Sequence, residues 1–382
     1  MTPLETTGIY IHIPFCIKKC PYCSFTSFTP EKIPEEEYIS TILKEIKTRY
    51  SEAESRDAGT VYFGGGTPSL ISPAGISAIL SAIAGKFRLT NPEITIEANP
   101  GTVDLDKLRG YRNAGVNRIS IGVQSFNDRL VLNLGRSHSS KEALDAFESA
   151  RTAGFDNIGI DLIHSVGGES LRDWKDDLKE AVSLHPEHIS AYNLTIEEGT
   201  PFHHSQEKGL LVLPAEEEQT DMLLTTVEIL CTAGYEHYEV SNYALPGFRS
   251  RHNQIYWKGG DYVGFGVSAH SFYKKGWGVR MANNHDLTDY FNLINMNGSA
   301  VVEEELLTMD KAIIEAIFLG LRMMEGIDLK AFKVRFGTGL EEAFPEAVRE
   351  LRLEYFLAYD SEHLKLTKKG MLFSNDVALR FI

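Results

Sequence analysis

From residue 8 to about residue 196, short runs rich in β-branched residues alternate with longer amphipathic stretches, and that alternation leaves few folds open. Six strand-like runs stand out: Ile9 to Ile13, Thr60 to Phe63, Ile94 to Glu97, Arg118 to Val123, Asn157 to Leu162 and His188 to Thr195. Between them lie helical patterns over Glu35 to Tyr50, Pro73 to Phe87, Asp104 to Asn113, Ser140 to Ala153 and Leu171 to Leu184. Asp104 and Ser140 suit helix N-caps, and Gly85, Gly115 and Gly154 fall where helices would end. This is the pattern of a parallel sheet with crossover helices. Six units are fewer than the eight that close a full barrel, so the expected fold is α/β, an open partial (β/α)6 barrel.

Parallel α/β folds gather their chemistry outside the carboxyl ends of the strands. Here Cys16, Cys20 and Cys23 follow the first strand, Gly64-Gly65-Gly66-Thr67-Pro68 follows the second, and Glu97 ends the third. Gln124 follows the fourth, Asp161 lies near the end of the fifth and Thr195 near the end of the sixth. The unusual polar and glycine positions therefore share one rim.

The loop Cys16-Ile17-Lys18-Lys19-Cys20-Pro21-Tyr22-Cys23 carries three thiols at C-x3-C-x2-C spacing, held by Pro14 and Pro21. Three thiols can turn to one centre but cannot complete a four-cysteine shell. An iron–sulfur cluster held in this way keeps one iron open to a chelating small molecule. A structural zinc site is the competing reading, with His12 as fourth ligand, although zinc sites usually pair C-x2-C with a second, distant pair. A disulfide framework fits poorly, because the fourth cysteine, Cys231, is far along the chain.

Other candidates are read on their own chemistry. The triple glycine admits close approach of backbone to a ligand, yet no Lys-Ser/Thr pair follows to make a P-loop. A tight turn explains it equally well. Glu97, at the end of a buried strand, needs a partner, either ribose hydroxyls or an ion pair with an arginine such as Arg118. Gln124 can both donate and accept. Arg136 can clamp a carboxylate in bidentate fashion. In Arg251-His252-Asn253-Gln254-Ile255-Tyr256-Trp257, with His270 further on, a histidine sits among aromatics. That suits an axial ligand to haem iron, or a hydrogen-bonded core residue.

An apolar fraction of 43% across 382 residues supports a substantial core in two domains or one large barrel with an appendage. The net charge of −15 argues against a nucleic-acid backbone or an anionic membrane surface as main partner. Residues 1 to 8 show no targeting pattern and no apolar stretch nears the ~20 residues that cross a bilayer, so a soluble, cytoplasmic protein is expected. After Gly199 the alternation stops. Pro214 to Ala233 reads as a helix with an acidic first turn and Cys231 on its apolar side. Residues 235 to 285 read as loops and strands covering the barrel mouth. From about Thr308, a strongly apolar helix (Asp310 to Met324), two further helices and a hairpin over Tyr355 to Leu357 and Leu364 to Leu366 suggest a mainly helical, winged-helix-like domain. The expected division is 1–235, 236–305 and 306–382. Because the last unit is near charge balance, DNA binding is not expected of it.

Taken together, these residues resemble the radical S-adenosylmethionine (SAM) family of oxygen-independent coproporphyrinogen III oxidases, and most closely its HemW-type haem chaperone branch. The likeness rests on Tyr10-Ile11-His12-Ile13-Pro14-Phe15-Cys16, Gly64 to Pro68, Ile96-Glu97-Ala98-Asn99-Pro100-Gly101, Gly115 to Phe126 and His252-Asn253-x-x-Tyr256-Trp257. The resemblance implies that Cys16, Cys20 and Cys23 ligate a [4Fe–4S] cluster and that Tyr10, Tyr22, Gly65, Gly66, Thr67 and Glu97 contact SAM. It implies that Gln124, Arg136, Asp161 and Thr195 line a further part of the cofactor cavity, and that His252 binds haem. The implied partners are haem and a haem-acceptor protein, with peripheral contact to membrane haem proteins. The chaperone branch is favoured over an oxidase, the alternative, because the first cysteine comes at position 16 and Phe25 stands where the oxidases carry a further cysteine. One departure from the branch is Ser165-Val166-Gly167-Gly168-Glu169, in place of the usual Gly-Leu-Pro-Gly-Gln, which implies a more flexible loop.

Overall fold

The structure, a computed structural model, describes residues 6–49 and 56–382. Six parallel strands follow one another across the sheet: β1 (Thr7–Ile13), β2 (Arg56–Gly65), β3 (Phe87–Ala98), β4 (Arg118–Gln124), β5 (Ile158–His164) and β6 (His188–Asn193). Helices α1 (Glu35–Arg49), α2 (Pro73–Ala84), α3 (Leu105–Ala114), α4 (Asp128–Asn133), α5 (Ser140–Thr152) and α6 (Leu171–Ser183) connect them. Tyr50, expected in the first helix, lies outside the described residues. α2 stops at Ala84 because Gly85 caps it, so Phe87 belongs to β3, where it pairs with Arg56. The N-cap of α5 is Ser139, one residue before the expected Ser140, and it forms a capping box with Glu142.

The sheet is larger than the six-strand pattern and remains open. Its order is β12-β11-β10-β9-β1-β2-β3-β4-β5-β6-β8-β7, with β7 (Glu236–Glu239), β8 (Asn242–Ala244), β9 (Tyr262–Phe265), β10 (His270–Tyr273), β11 (Val279–Asn283) and β12 (Val301–Leu306). β9 is a seventh parallel strand beside β1, and the other additions run antiparallel. Four residues of Tyr-Val-Gly-Phe, far from the repeating units, give too short a pattern to be read as a barrel strand.

Along β1 to β6 the side chains alternate. Ile9, Ile11, Val61, Phe63, Ile96, Ile119, Ile121, Ile160, Leu162 and Ile189 enter the main apolar core. The intervening Tyr62, Glu97, Arg118, Ser120, Asp161, His188 and Ser190 line an interior cavity. The lumen is therefore polar and the outer, helix-facing side is apolar.

After α7 (Pro201–Glu207), α8 (Glu216–Thr232) buries Met222, Thr225, Thr226 and Leu230. Cys231 was expected on that face, but it follows Leu230 by about 100° of helix turn and is exposed. The short helix α9 (Arg251–Trp257) does not cover the barrel mouth as expected. It packs at the opposite end, where its Arg251 and His252 N–H groups donate to Glu93 and Arg251 Nη1 donates to the carbonyl of Asn91, on the lower part of β3.

α10 (Leu287–Asn297) lies against α1, and α11 (Met309–Gly320) opens a second core. That core joins Phe272 and Leu307 to residues as far as Phe381, and includes a three-stranded sheet of Ile327–Asp328, His363–Leu366 and Leu357–Tyr359. Helices interleaved with this small sheet make a winged-helix-like unit. Among the described residues no helix is long and apolar enough to cross a membrane.

Glu45 on α1 holds the added strands to the barrel. It is fully buried, lies 3.6 Å from Arg49 and accepts from Gly266 N–H (2.9 Å), Asn283 Nδ2 (2.7 Å) and Tyr290 Oη (2.8 Å). Replacing it leaves Gly266 N–H and Tyr290 Oη without this acceptor, leaves Asn283 Nδ2 only Gly266 O, and removes the carboxylate beside Arg49, which keeps Gly264 O and Ser271 Oγ. Glu45→Ala is expected to destabilise the protein by about 3 kcal/mol, read as a lowered urea midpoint.

Candidate cofactor site

The cysteine loop begins on β1 and is tied at its base. Cys16 N–H donates to Phe28 O (2.9 Å) and Phe28 N–H to Pro14 O (2.7 Å), and the buried Phe15 packs edge-on to Tyr38. Within the loop, Cys23 N–H donates to Cys20 O (3.1 Å). All three thiols are half-buried and face one cavity of about 400 Å³ at the carboxyl ends of the strands. Gly66 lies directly against Cys16. A Cβ there would stand 2.8 Å from Phe15 O and 3.0 Å from Cys16 Sγ.

A chain of polar contacts links two of the thiols across the rim. Arg136 Nη1 lies 3.6 Å from Cys20 Sγ, while its Nη2 donates to Asn99 Oδ1 (2.5 Å) and Gly122 O (2.9 Å). Asn99 Nδ2 donates to Thr67 Oγ1 (2.8 Å), and Thr67 Oγ1 lies 3.6 Å from Cys16 Sγ. Arg136 is thus occupied in holding the loop, and places positive charge beside sulfurs that would be thiolates. Gln124 ends β4 with φ of 67°, a left-handed conformation that folds its amide back over Gly122.

Glu97 is not paired with Arg118. Its carboxylate accepts from Tyr62 Oη (2.8 Å) and Gly65 N–H (3.2 Å), and burial pushes its pKa up to about 7 in spite of both bonds. Asp161 accepts from Ser120 Oγ (3.1 Å to each oxygen), and burial raises its pKa as well.

The structure brings Cys16, Cys20, Cys23, Tyr22, Gly65, Gly66, Thr67, Glu97, Gln124, Arg136 and Asp161 around this one cavity, with Phe25 exposed at its edge. Three expected residues are elsewhere. Tyr10 stands behind the lining, stacked on Tyr62 at 6.2 Å and bonded to His12 Nδ1. Thr195 is exposed outside the cavity, because β6 ends at Asn193 and the chain has already turned away. His252 is buried beneath Tyr62, its Nδ1 2.7 Å from Thr60 Oγ1 and its Nε2 2.8 Å from Tyr256 Oη. Both nitrogens are hydrogen-bonded, so His252 presents no free lone pair to the cavity in this structure. Sequence spacing missed Tyr62, Asn99, Ser120, His188, Ser190 and Tyr192, and read Arg118 only as a partner for Glu97. Polar residues at every second strand position were the available signal.

The donor set fits a cluster better than a single ion. Among the described residues, only His203, His204 and Glu207 bring three ligand atoms mutually within 4.8 Å, so the three thiols are spread wider than that. Zinc–sulfur bonds of about 2.3 Å would draw them closer. His12 cannot complete a zinc site as it stands: its Nε2 is 2.9 Å from Thr26 O and its Nδ1 3.1 Å from Tyr10 Oη.

Comparison with known proteins agrees with this geometry. The radical SAM superfamily pattern matches residues 10–181, and the HemN C-terminal domain matches residues 307–373. Over 99% of its length the chain is 35% identical to the heme chaperone HemW of Lactococcus lactis, covering 98% of that protein. The chain belongs to the radical SAM family, on the HemW branch. The Bacillus subtilis HemW is 33% identical over 98% of each chain, and that of Escherichia coli 40% over 71% of each. The solved coproporphyrinogen III oxidase HemN of Escherichia coli superposes with a TM-score of 0.84 over 99% of this chain and 90% of its own, at 24% identity, which bears on the fold alone. Membership of the radical SAM family brings a [4Fe–4S] cluster and SAM as cofactors.

The loop that departs from the branch is anchored, against expectation. Ser165 Oγ bonds His164 Nδ1 (2.9 Å), Glu169 Oε2 accepts from Val166 N–H (2.9 Å), and Arg129 and Asn133 donate to the carbonyls of Gly168 and Gly167.

Two predictions follow from these contacts. Gly66→Ala must displace the cysteine loop, so iron and sulfide retained after anaerobic reconstitution should fall severalfold. Gly85→Ala, whose Cβ meets nothing closer than 3.4 Å, should retain both. Burial pushes the Glu169 carboxyl up to about 8 from its ordinary 4.5. The folded state therefore binds the extra proton between these values, and this contribution to stability is lost as pH rises through the window. Urea midpoints at pH 5 and pH 8 should show Glu169→Gln more stable than the parent at pH 8 and the difference shrinking at pH 5.

Proposed function

We propose that this chain is a [4Fe–4S]- and SAM-binding haem chaperone, which takes up haem and passes it to an acceptor protein. The observation that carries the reading is the end-to-end similarity to proteins named heme chaperone HemW. Phe25 at the cavity edge, where the oxidases carry another cysteine, supports it. In this reading the barrel unit to residue 235 carries the cluster and SAM. Residues 236–305 extend and plug the barrel, and 306–382 form the winged-helix-like domain.

Cys16, Cys20 and Cys23 would hold the cluster, whose open iron supplies a chelation site for SAM. The remaining residues position and enclose it. Gly65, Gly66 and Thr67 present backbone at close range, Glu97 offers a carboxylate to hydroxyl groups, and Tyr22 and Gln124 wall the cavity. Arg136 steadies Cys20 and the charge beside it. Peripheral contact with membrane haem proteins is a matter of the acceptor, and a cytoplasmic setting suits the reading.

Haemin titration of anaerobically purified protein, followed by its transfer to apomyoglobin, tests the proposal. Saturable binding and transfer are expected, and no binding removes the reading. Formation of a decarboxylated product from coproporphyrinogen III with SAM and reductant would favour the oxidase instead. Because His252 is bonded at both nitrogens, His252→Gln, which can keep a hydrogen-bonding side chain there, is expected to bind haemin as tightly as the parent.

A further inference from the structure

Below Glu97 the cavity continues to a floor that the SAM-contacting residues do not use. Arg118 opens β4, pairs in register with Thr95 and is only 2% exposed, yet it lines the cavity. Among the described residues no hydrogen bond or ion pair holds its guanidinium, and its Nε is a buried donor with no acceptor. A buried charge of this kind is costly unless something pairs with it.

The nearby carboxylates are already engaged. Glu93 takes the N–H groups of Arg251 and His252, and Asp161 takes Ser120 Oγ. Burial works against the guanidinium charge, and the field of the nearby carboxylates, Glu93 foremost, outweighs it, so Arg118 stays charged. Its N–H donors therefore stay available to the cavity.

His188 on β6 supplies a second donor. Its Nε2 is 2.8 Å from Tyr238 Oη, and that same oxygen accepts from Ser250 N–H at 3.3 Å. Among the described residues the Tyr238 hydroxyl has no other acceptor, so its proton is assigned to Nε2 and the hydrogen of the neutral ring to Nδ1. Burial and Arg118 keep the ring neutral. Among the described residues His188 Nδ1 is buried without a partner.

Gly159 brings these groups to one place. A Cβ on Gly159 would stand 3.2 Å from Ser120 Oγ, 3.5 Å from Arg118 Nη2 and 3.6 Å from His188 Nδ1. The glycine opens a small space in β5 with one cationic donor and one neutral donor directed into it.

We propose that Arg118 and His188 form a carboxylate-binding subsite at the barrel floor, for the acid group of a second organic ligand lying deeper than SAM. The SAM carboxylate is assigned to the cluster rim, beyond the row of Glu97, Asp161 and Ser190. Asp161, which shares Ser120 with the subsite, disfavours a dianion such as phosphate and selects a monoanion. The assignment does not rest on haem binding: a chain that fails to bind haem can still hold a carboxylate here.

The test is ligand-observed NMR titration of the anaerobically reconstituted protein, saturated with SAM, with sodium propionate. Propionamide and sodium chloride at matched ionic strength are the controls. Propionate is expected to bind saturably, the controls not, and Arg118→Met to weaken it at least tenfold. Should that variant fail to fold, Gly159→Ala gives the second reading. Its Cβ fills the space with no approach under 3.2 Å, so the fold should survive and propionate binding should be lost. Absence of propionate binding to the parent, equal binding by the folded variants, equal binding of propionamide or chloride, or displacement of propionate by further SAM would each overturn the assignment.

Discussion

The cost of burying polar groups inside the barrel governs this structure. Strand residues facing the helices are almost all aliphatic or aromatic and form one continuous core. Those facing inward are tyrosines, acids, serines, an arginine and a histidine, which cannot fill a lumen as aliphatic layers do in a closed barrel. Some satisfy one another, as Tyr62 does Glu97 and Ser120 does Asp161. Others, among them Arg118 Nε, Thr95 Oγ1 and His188 Nδ1, find no partner among the described residues. An open sheet with a polar lumen is therefore a scaffold whose interior energetics are completed by what it binds.

The lower end of that lumen is closed by α9, and this gives the His252-Asn253-x-x-Tyr256-Trp257 stretch a structural role. Glu93 accepts the N–H groups of Arg251 and His252 near the start of the helix, a favourable placement for a carboxylate. His252 then bridges Thr60 and Tyr256 and lies against Tyr62, 4.9 Å between ring centres. Tyr62 in turn holds Glu97. The motif therefore bears on the cofactor cavity from the side opposite the cysteines, through the Tyr62 ring and through Asn253, which lines the cavity itself.

Much of this could be read from the chain itself. The six strands and their order followed from periodicity, and the rim from the rule that ligands collect at carboxyl ends. Residues at strand ends or in the loops just beyond them, such as Cys16, Gly66 and Glu97, were legible for that reason. Thr195 was not, because two residues past the end of β6 the direction of a side chain no longer follows strand alternation. Cys231 failed for a similar reason: one position along α8 is a turn of about 100°, enough to carry a side chain from core to surface. Asn99 and His188 are ordinary in sequence and acquire meaning only through partners far along the chain, Arg136 and Tyr238. β9 and the reversed position of α9 depend on contacts over some 200 residues, which no local pattern carries.

The loop after β5 shows how a departure from a family pattern can leave its physics intact. Glu169 stands where the resemblance implies a glutamine, and a charged carboxylate in so buried a place is costly. The structure instead raises its pKa to about 8, chiefly by desolvation with Asp177 and Asp173 adding to it. Near neutral pH the side chain is then mostly protonated, an uncharged group of nearly the shape of glutamine. One oxygen takes the Val166 N–H as an amide oxygen would, closing the same turn. The two glycines before it supply the backbone freedom, with Gly168 at φ of 79°. The substitution therefore preserves packing near neutral pH and adds a titration that glutamine lacks. Above its shifted pKa the buried charge meets no cation among the described residues, since Arg129 is committed to Gly168 O and Asp173. Strain from that charge would fall on the segment that leads from β5, the strand bearing Asp161 and Gly159, into α6.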